Sequence, residues 1–145
     1  FVIKKNKLFF MYYCSTFKWI NELTPCYSIK LCTSKNLLDW NRRKEYCIKL
    51  KKNEYAIGRP YVIYHKNIYK MWYSYKKNNY QIGYAESKDG ISWKRKDKLI
   101  KFYNPKKFNF KMMEFASVIE FQNKLYMFFN GNDYGYEGIY LAELY

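Results

Sequence analysis

Histidine and closely spaced cysteines, the usual ligands of a structural zinc ion, are scarce in this sequence. His65 is the single histidine, and the four cysteines, at positions 14, 26, 32 and 47, show no Cys-x-x-Cys spacing. We therefore expect neither a metal site nor another cofactor. The cysteines are expected to be free thiols, although their spacing leaves a Cys14–Cys47 or a Cys26–Cys32 disulfide open.

Long apolar runs and long helical patterns are also missing. No run of about 18 apolar residues is present, so no membrane partner is expected. No window repeats its apolar positions with the helical period, so no long helix is predicted. Phe1 already lies within a strand-like phrase and no initiator Met precedes it. We expect a piece of a longer protein, whose localisation stays open, with the cytoplasm slightly favoured.

Acidic residues are few, with 12 Asp and Glu against 27 Lys and Arg and a formal net charge of +15. Such an excess is typical of nucleic-acid-binding proteins. Here, however, Lys is abundant together with Asn, Tyr, Ile and Phe, as an AT-rich genome would impose. Arg, the better reader of bases and phosphates, is scarce, and the basic residues cluster only at 94–98. Nucleic acid is therefore not predicted as a partner.

Two phrases of the sequence recur in a fixed order. The phrase "IKLCTSKNLLDW" at residues 29–40 aligns without a gap with "IGYAESKDGISW" at 82–93, and "IYLAEL" repeats its beginning at 139–144. The other phrase joins a Val-Ile pair to a Met that is followed by two aromatic residues. Its methionines are Met11, Met71 and Met127. The chain therefore consists of repeat units at about 1–57, 58–113 and 114–145.

Each complete repeat unit predicts four consecutive antiparallel strands. Runs rich in Val, Ile, Tyr and Phe are separated by polar pairs that suit tight hairpin turns: Lys5-Asn6, Lys66-Asn67 and Gln122-Asn123. A Ser-Lys-Asp-Gly turn then precedes a predicted fourth strand, "WKRKDKLIKF", at 93–102. Such units of about 55 residues are typical of β-propeller blades.

The repeat therefore predicts an all-β chain, a single incomplete propeller domain with about two and a half blades. Propellers close with about four to eight blades, so the open blade faces of this chain are expected to self-associate or to be completed by further residues. The repeated turn serines, Ser34 and Ser87, are expected to be structural. Trp40 and Trp93 are expected to pack between neighbouring blades.

The residues that enter the first strand of each blade are the candidate site, because these strands surround the propeller axis. They are Gly58-Arg59-Pro60 and Glu114-Phe115-Ala116. Glu114 is a lone carboxylate in an apolar run, and burial would raise its pKa as a general acid requires. We expect Arg59 and Glu114 to face one central pocket. Two structural alternatives are that Arg59 pins a turn or pairs with Glu54, and that Glu114 is a paired carboxylate at a blade junction.

With "GRPYVIY", "YKMWYS", "IGYAESKDGISW" and "MEFASVI", the chain resembles the five-bladed β-propeller glycoside hydrolases. These comprise the arabinanase and xylosidase family 43 and the invertase and levansucrase families 32 and 68. The resemblance is closest to a bacterial branch of glycosyl-hydrolase-like proteins. It implies a partial five-bladed β-propeller that acts on an oligosaccharide or polysaccharide. It also implies three acidic residues, one each from blades one to three, that meet in the central pocket.

The resemblance assigns roles to particular residues. Glu114-Phe115-Ala116 matches the Glu-Cys-Pro motif of the invertase-type members, so Glu114 is the candidate general acid. Gly58-Arg59-Pro60 falls where Arg-Asp-Pro belongs, and Arg59, which replaces the Asp, is a candidate substrate-binding residue. The partner carboxylate of blade one would lie upstream of Phe1.

The loop "NGNDYGYEG" after the second strand of the third blade supplies further candidate sugar contacts, Asn130, Asp133 and Tyr134. A Gly-, Asn- and Asp-rich turn is a sufficient alternative explanation for them. The aromatic content of 23% suits the stacking of sugar rings but also suits blade cores. Because Arg59 replaces an acid, a non-catalytic carbohydrate-binding propeller and a protein-interaction propeller stay open beside a glycoside hydrolase.

Overall fold

A computed structural model describes residues 1–101 and 110–144 of the chain, and these form three consecutive antiparallel β-units. The first blade contains β1 (Val2–Lys5), β2 (Leu8–Asn21), β3 (Thr24–Ser34) and β4 (Asn41–Tyr46). The second contains β5 (Ala56–His65), β6 (Ile68–Lys76), β7 (Tyr80–Ser87) and β8 (Lys94–Arg95), and the third contains β9 (Glu114–Phe121), β10 (Lys124–Asn130) and β11 (Ile139–Leu144). The helical segments of the described chain are single turns, Asp97–Leu99 and Asn132–Gly135. The all-β prediction is confirmed.

The strand registers confirm the sequence repeat. Val2 pairs with Met11, Val62 with Met71 and Val118 with Met127. Across the next strand, the same methionines face Cys32, Ala85 and Ala142. The three predicted hairpins are therefore equivalent, and the shortened third copy of the first phrase forms β11.

The hairpin turns confirm two of the three predicted turn pairs. Lys66-Asn67 and Gln122-Asn123 each have positive φ at both residues, the geometry of a two-residue type I′ turn. In the first blade the pair Lys5-Asn6 is wrong by one residue. Lys5 still pairs with Leu8, so the turn consists of Asn6 and Lys7.

The predicted fourth strand of the second blade is much shorter than residues 93–102. Only Lys94–Arg95 pairs with β7. The chain then turns because the Asp97 carboxylate accepts hydrogen bonds from the Tyr73 hydroxyl at 2.5 Å and from the Tyr84 amide at 3.2 Å. The last predicted residue, Phe102, lies outside the described residues.

Two apolar cores lie between the blades. The core between the first and second blades contains Tyr12, Ile29, Leu31, Val62, Met71 and Tyr73. The core between the second and third blades contains Trp72, Ile82, Tyr84, Val118, Met127 and Phe129. Both faces of the second blade are thus covered. The outer face of the third blade exposes Phe128, Ile139 and Leu141.

The turns that follow β3 and β7 have the same hydrogen bonds. The Ser34 hydroxyl accepts from the amides of Asn36 and Leu37, and the Ser87 hydroxyl accepts from those of Asp89 and Gly90. These bonds account for both serines as structural residues. Trp93 packs in the first core, with its ring 5.7 Å from that of Tyr12. Trp40 belongs to neither core, and its Nε1 donates to the Leu37 carbonyl at 2.9 Å.

A buried ion network fixes the connection between the first two blades. Arg95 donates to both carboxylate oxygens of Glu54, at 2.7 and 3.1 Å, and also to Asp97 at 2.7 Å. Lys51 contacts Asp97 at 2.6 Å. The alternative in which Arg59 pairs with Glu54 is therefore wrong, because Arg95 occupies that carboxylate.

All four cysteines are free in the structure, so neither disulfide that the spacing left open is formed. The described helices are single turns, and none of them is long and apolar enough to cross a membrane.

Candidate functional site

The two candidate segments form equivalent bulges at the start of β5 and β9. The pairing of β5 with β6 is interrupted between Gly58 and Tyr61, and the pairing of β9 with β10 is interrupted after Glu114. Within the bulges Arg59 and Phe115 have φ values of 51° and 58°. Left-handed backbone at such residues costs about 1–3 kcal/mol, and strain of this kind is concentrated at functional sites.

Each bulge is anchored on the blade that precedes it. The Phe115 amide donates to the Ser74 hydroxyl at 3.0 Å, and the Arg59 amide donates to the Cys14 sulfur at 3.4 Å. Cys14 and Ser74 occupy the same repeat position, opposite Ile29 and Ile82. Blade-to-blade packing therefore fixes where the side chains of the bulges point.

Gly58 holds the position in the second blade that Glu114 holds in the third. A Cβ atom at Gly58 would lie 2.7 Å from the Cys14 sulfur and 3.0 Å from the Tyr27 ring. Contacts that short exclude a side chain unless Cys14 or Tyr27 moves. The first blade fills the space that an acidic side chain would need.

Glu114 is fully buried and its carboxyl group is unpartnered. Its exposed fraction is 0%, and neither oxygen has a hydrogen-bond partner among residues 1–101 and 110–144. Burial raises the pKa of this carboxyl group, although the positive charges of Arg59 and Lys76 oppose the shift. The described residues thus give Glu114 no partner of the kind that the structural alternative requires.

Arg59 lies near Glu114. Its side chain rests on the ring of Phe115, the residue that follows Glu114 in the sequence. Its guanidinium carbon is 4.8 Å from the centroid of that ring, and the side chain is exposed to solvent. Two concave sites, of 320 and 610 Å³, lie beside the β2–β3 hairpin and beside the turn at residues 34–41. Neither is lined by Arg59 or Glu114, so the common pocket of these two residues stays a prediction.

Two tyrosines and a lysine, which sequence analysis did not single out, lie near Arg59 and Glu114. The hydroxyl groups of Tyr27 and Tyr80 lie 2.6 Å apart, and burial raises the pKa of both. Lys76, at the end of β6, places its ammonium group 4.8 Å from the Tyr80 ring centroid. The repeat alignment holds the signal that identifies the tyrosines, since each stands two residues before an aligned isoleucine, Ile29 or Ile82.

The predicted loop residues divide between the site and the turn itself. Tyr134 lies at the edge of the site, with its ring 6.2 Å from that of Tyr80. Asn130 pairs with Glu114 across the strands, and its side-chain amide donates to the Tyr134 carbonyl at 3.0 Å. Asp133 has a φ of 52°, and its carbonyl accepts from the Tyr136 amide, so its contacts are those of a turn residue.

The hairpin between β2 and β3 is longer than its counterpart in the second blade. Cys14 and Ile29 are 15 residues apart, whereas the equivalent Ser74 and Ile82 are 8 residues apart. Its base, at Cys14 and Tyr27, contacts the site residues already described. The hairpin exposes the apolar side chains Phe17, Trp19, Ile20 and Leu23.

Comparison with known proteins shows which solved structures share this fold. No family model matches the chain. Uncharacterized protein Rv1502 of Mycobacterium tuberculosis is 27% identical over 149 aligned positions, which cover 99% of this chain and 49% of that protein. The chain thus spans about half the length of the curated relatives it matches.

Solved structures agree with the blade assignment. A glycosyl hydrolase from Bacteroides ovatus superposes with a TM-score of 0.76 at 16% identity, covering 99% of this chain and 44% of that one. The Bacillus subtilis arabinanase Arb43A gives a TM-score of 0.72 at 15% identity, covering 99% and 50%. Family 32 and family 117 glycoside hydrolases also match. The chain has the fold of part of a glycoside hydrolase β-propeller.

Proposed function

We propose that this chain is part of a carbohydrate-active propeller in which Glu114 is the general acid of glycosidic bond cleavage. The observation that carries the proposal is the buried, unpartnered carboxyl group of Glu114 at the start of an innermost strand. Burial favours its protonated form, and a protonated carboxyl group can donate a proton to the leaving oxygen of a glycoside.

Cleavage also requires a second carboxylate, as base or as nucleophile. The charged groups that act on Glu114 within the described chain are the cations Arg59 and Lys76. We therefore assign the partner carboxylate to residues outside this chain, in a five-bladed ring that those residues complete. Since the matched relatives are about twice as long, such residues have a place in proteins of this kind.

The aromatic groups near Glu114 support a sugar as the ligand. Tyr27, Tyr80 and Tyr134 combine ring faces with hydroxyl groups, and sugar rings present apolar faces edged by hydroxyls. The neighbours include an arabinanase and a β-fructofuranosidase in complex with sucrose, which suggest arabino-oligosaccharides and sucrose as first candidate substrates.

A non-catalytic carbohydrate-binding propeller is the second candidate, and Arg59 favours it. The resemblance to invertase-type enzymes implies a carboxylate at this position, where the chain instead carries a cation. A protein of this second kind would bind the same sugars without cleaving them.

The test measures cleavage and binding in the complete protein. For an enzyme, Glu114→Gln should lower kcat on arabino-oligosaccharides or sucrose by about 10²- to 10⁴-fold. Glu120→Gln, on the same strand but with a half-exposed side chain, should leave kcat unchanged. Binding without cleavage by the unsubstituted protein would support the second candidate. Absence of both would contradict the proposal.

A further inference from the structure

Two cations beside Glu114 have no acidic partner. Arg59 rests on the Phe115 ring, and Lys76 lies 4.8 Å from the Tyr80 ring centroid and 5.9 Å from that of Tyr55. Neither forms an ion pair in the described parts of the chain. Contacts with ring faces stabilise a cation but leave its charge uncompensated.

Two other basic residues of the same blade are paired with carboxylates. Arg95 contacts Glu54 and Asp97, and Lys96 contacts Glu86. Arg59 lies in the bulge of β5, and Lys76 pairs with Ala56 at the start of that strand, whereas Arg95 contacts Glu54 in the connection between the blades. Lys66 and Lys77 of this blade also lack an ion pair within the described residues. Arg59 and Lys76 differ from them because each lies against an aromatic ring and acts on the buried Glu114.

Arg59 and Lys76 both lie near the hydrogen-bonded pair of Tyr27 and Tyr80. The charge of Arg59 acts on Tyr27, whose hydroxyl is 2.6 Å from that of Tyr80, and Lys76 lies against the Tyr80 ring. Both cations also act on Glu114. The site thus combines two positive charges with a carboxyl group that burial drives towards its neutral form, so its net charge favours an anion.

We propose that Arg59 and Lys76 form an anion subsite beside Glu114, and that the ligand is a sugar bearing an acidic substituent, either a carboxylate or a phosphate. This proposal rests on the proposed function and specifies its ligand. The planar guanidinium of Arg59 suits two parallel hydrogen bonds to a carboxylate or phosphate, and Lys76 adds a point charge. Hydroxyl groups of the same sugar would supply donors for the Glu114 oxygens, which lack partners in the described chain.

The test is a calorimetric titration with matched neutral and acidic sugars. The panel is glucose, galactose and fructose, the 6-phosphate of each, and glucuronic and galacturonic acid. We expect at least one acidic member to bind about 10-fold or more tighter than its neutral parent at low salt. Added salt should reduce this preference, because it screens exposed charges. The phosphate and uronate arms identify which substituent the subsite takes.

Variants localise the effect. Arg59→Gln and Lys76→Met should each remove most of the preference for the acidic sugar. Lys77→Gln removes an exposed charge from the next position and should leave the preference intact. Equal affinity for acidic and neutral sugars, or an equal loss in Lys77→Gln, would overturn the anion subsite while the proposed function stands. No binding by any member of the panel would also overturn the anion subsite, whereas the proposed function is judged on arabino-oligosaccharides and sucrose.

Discussion

Arg59 and Phe115 occupy the same bulge position in consecutive blades, and the guanidinium carbon of one lies 4.8 Å from the ring centroid of the other. Both residues have left-handed backbone conformations, and both amides are held by side chains of the preceding blade. Two neighbouring blades thus present a cation and an aromatic ring at one point. The buried Glu114 carboxyl group lies next to that ring in the sequence.

The anchoring of these bulges can be tested by removing each acceptor. Ser74→Ala leaves the Phe115 amide without its hydrogen bond at a position where Ser74 is 1% exposed, so the free energy of unfolding should fall by about 1–3 kcal/mol. Cys14→Ala is the matched control in the first blade. Sulfur is a weak acceptor and Arg59 is exposed, so the fall should be smaller. Denaturant titration of both variants measures the difference, and equal losses would contradict it.

The turn after β3 has a strained backbone conformation at Leu37, whereas the equivalent turn after β7 has a glycine at that position. Leu37 has a φ of 67°, and Gly90 holds the equivalent position with a φ of 74°. Left-handed backbone costs an ordinary residue about 1–2 kcal/mol. Leu37→Gly should therefore raise the free energy of unfolding by up to about 1 kcal/mol after the entropy of glycine is counted.

Leu38→Gly is the control for this substitution, because Leu38 is 83% exposed and has no positive φ. The melting temperature of this variant should stay the same or fall. A fall in both variants would show that the backbone of Leu37 is not strained.

The ion network between the first two blades should contribute strongly to stability. The side chains of Glu54 and Arg95 are 1% and 11% exposed, so Glu54→Gln leaves a buried guanidinium without its bidentate partner. Loss of one partner from a buried pair costs about 3–5 kcal/mol, and the retained contact of Arg95 with Asp97 places the expected loss at the lower end. Glu45→Gln breaks the exposed contact with Arg43 and should cost about 1 kcal/mol or less. Similar melting temperatures for the two variants would contradict the burial of the network.

The buried carboxyl group of Glu114 predicts a particular pH dependence. Its pKa is raised above the usual 4.5, so Glu114 reduces stability once the pH exceeds that value and the unfolded chain ionises. Glu114→Gln should therefore melt at a higher temperature than the unsubstituted chain near pH 7. The difference should vanish below about pH 4.5, where the carboxyl group is protonated in both states. A difference that does not change with pH would contradict the shift.

The blades could be predicted from the sequence because paired strands keep the same spacing between equivalent residues in each repeat. Met11, Met71 and Met127 stand at one register position, and that identity survives differences in loop length. The fourth strand of the second blade was overestimated for a local reason. The Asp97 carboxylate accepts hydrogen bonds from the Tyr73 hydroxyl and the Tyr84 amide, which are distant in the sequence but adjacent in space.

The candidate site was only partly accessible from the sequence. Arg59 and Glu114 stand out because each interrupts an apolar strand entry. Lys76 ends a strand in a run with Lys77, and nothing in that run distinguishes the half-buried lysine from the exposed one. The two lysines are distinguished by the contacts that the Lys76 ammonium group makes with the rings of Tyr55 and Tyr80, and the structure is needed to see them.

The outer face of the third blade predicts self-association of the 145-residue chain, an expectation that no observation yet tests. Phe128 and Leu141 are 39% and 59% exposed, whereas the equivalent Trp72 and Tyr84 of the second blade are 3% and 7% exposed. The face of the second blade that carries Val62 covers Tyr12, and the corresponding face of the third blade covers Trp72. The outer face of the first blade is the equivalent face of that blade. We therefore propose that a second copy docks its first blade onto this face.

Light scattering tests this docking. The unsubstituted chain should show a mass above 17.9 kDa, and Phe128→Lys combined with Leu141→Lys should shift the mass towards that value. Leu23→Lys, at a hairpin position that is 90% exposed, should leave the mass unchanged. A cooperatively folding monomer of the unsubstituted chain would contradict the proposal.

The most direct test of a carbohydrate site at the bulges is to map sugar binding by amide chemical shifts in the isotope-labelled complete protein. The titrant is the tightest-binding member of the sugar panel. The account predicts that the largest shifts fall on Arg59, Lys76, Tyr80 and Phe115, and that Glu114→Gln changes their pattern. Largest shifts at the turn of residues 34–41, which lines a separate concave surface, or no shifts at all, would contradict it.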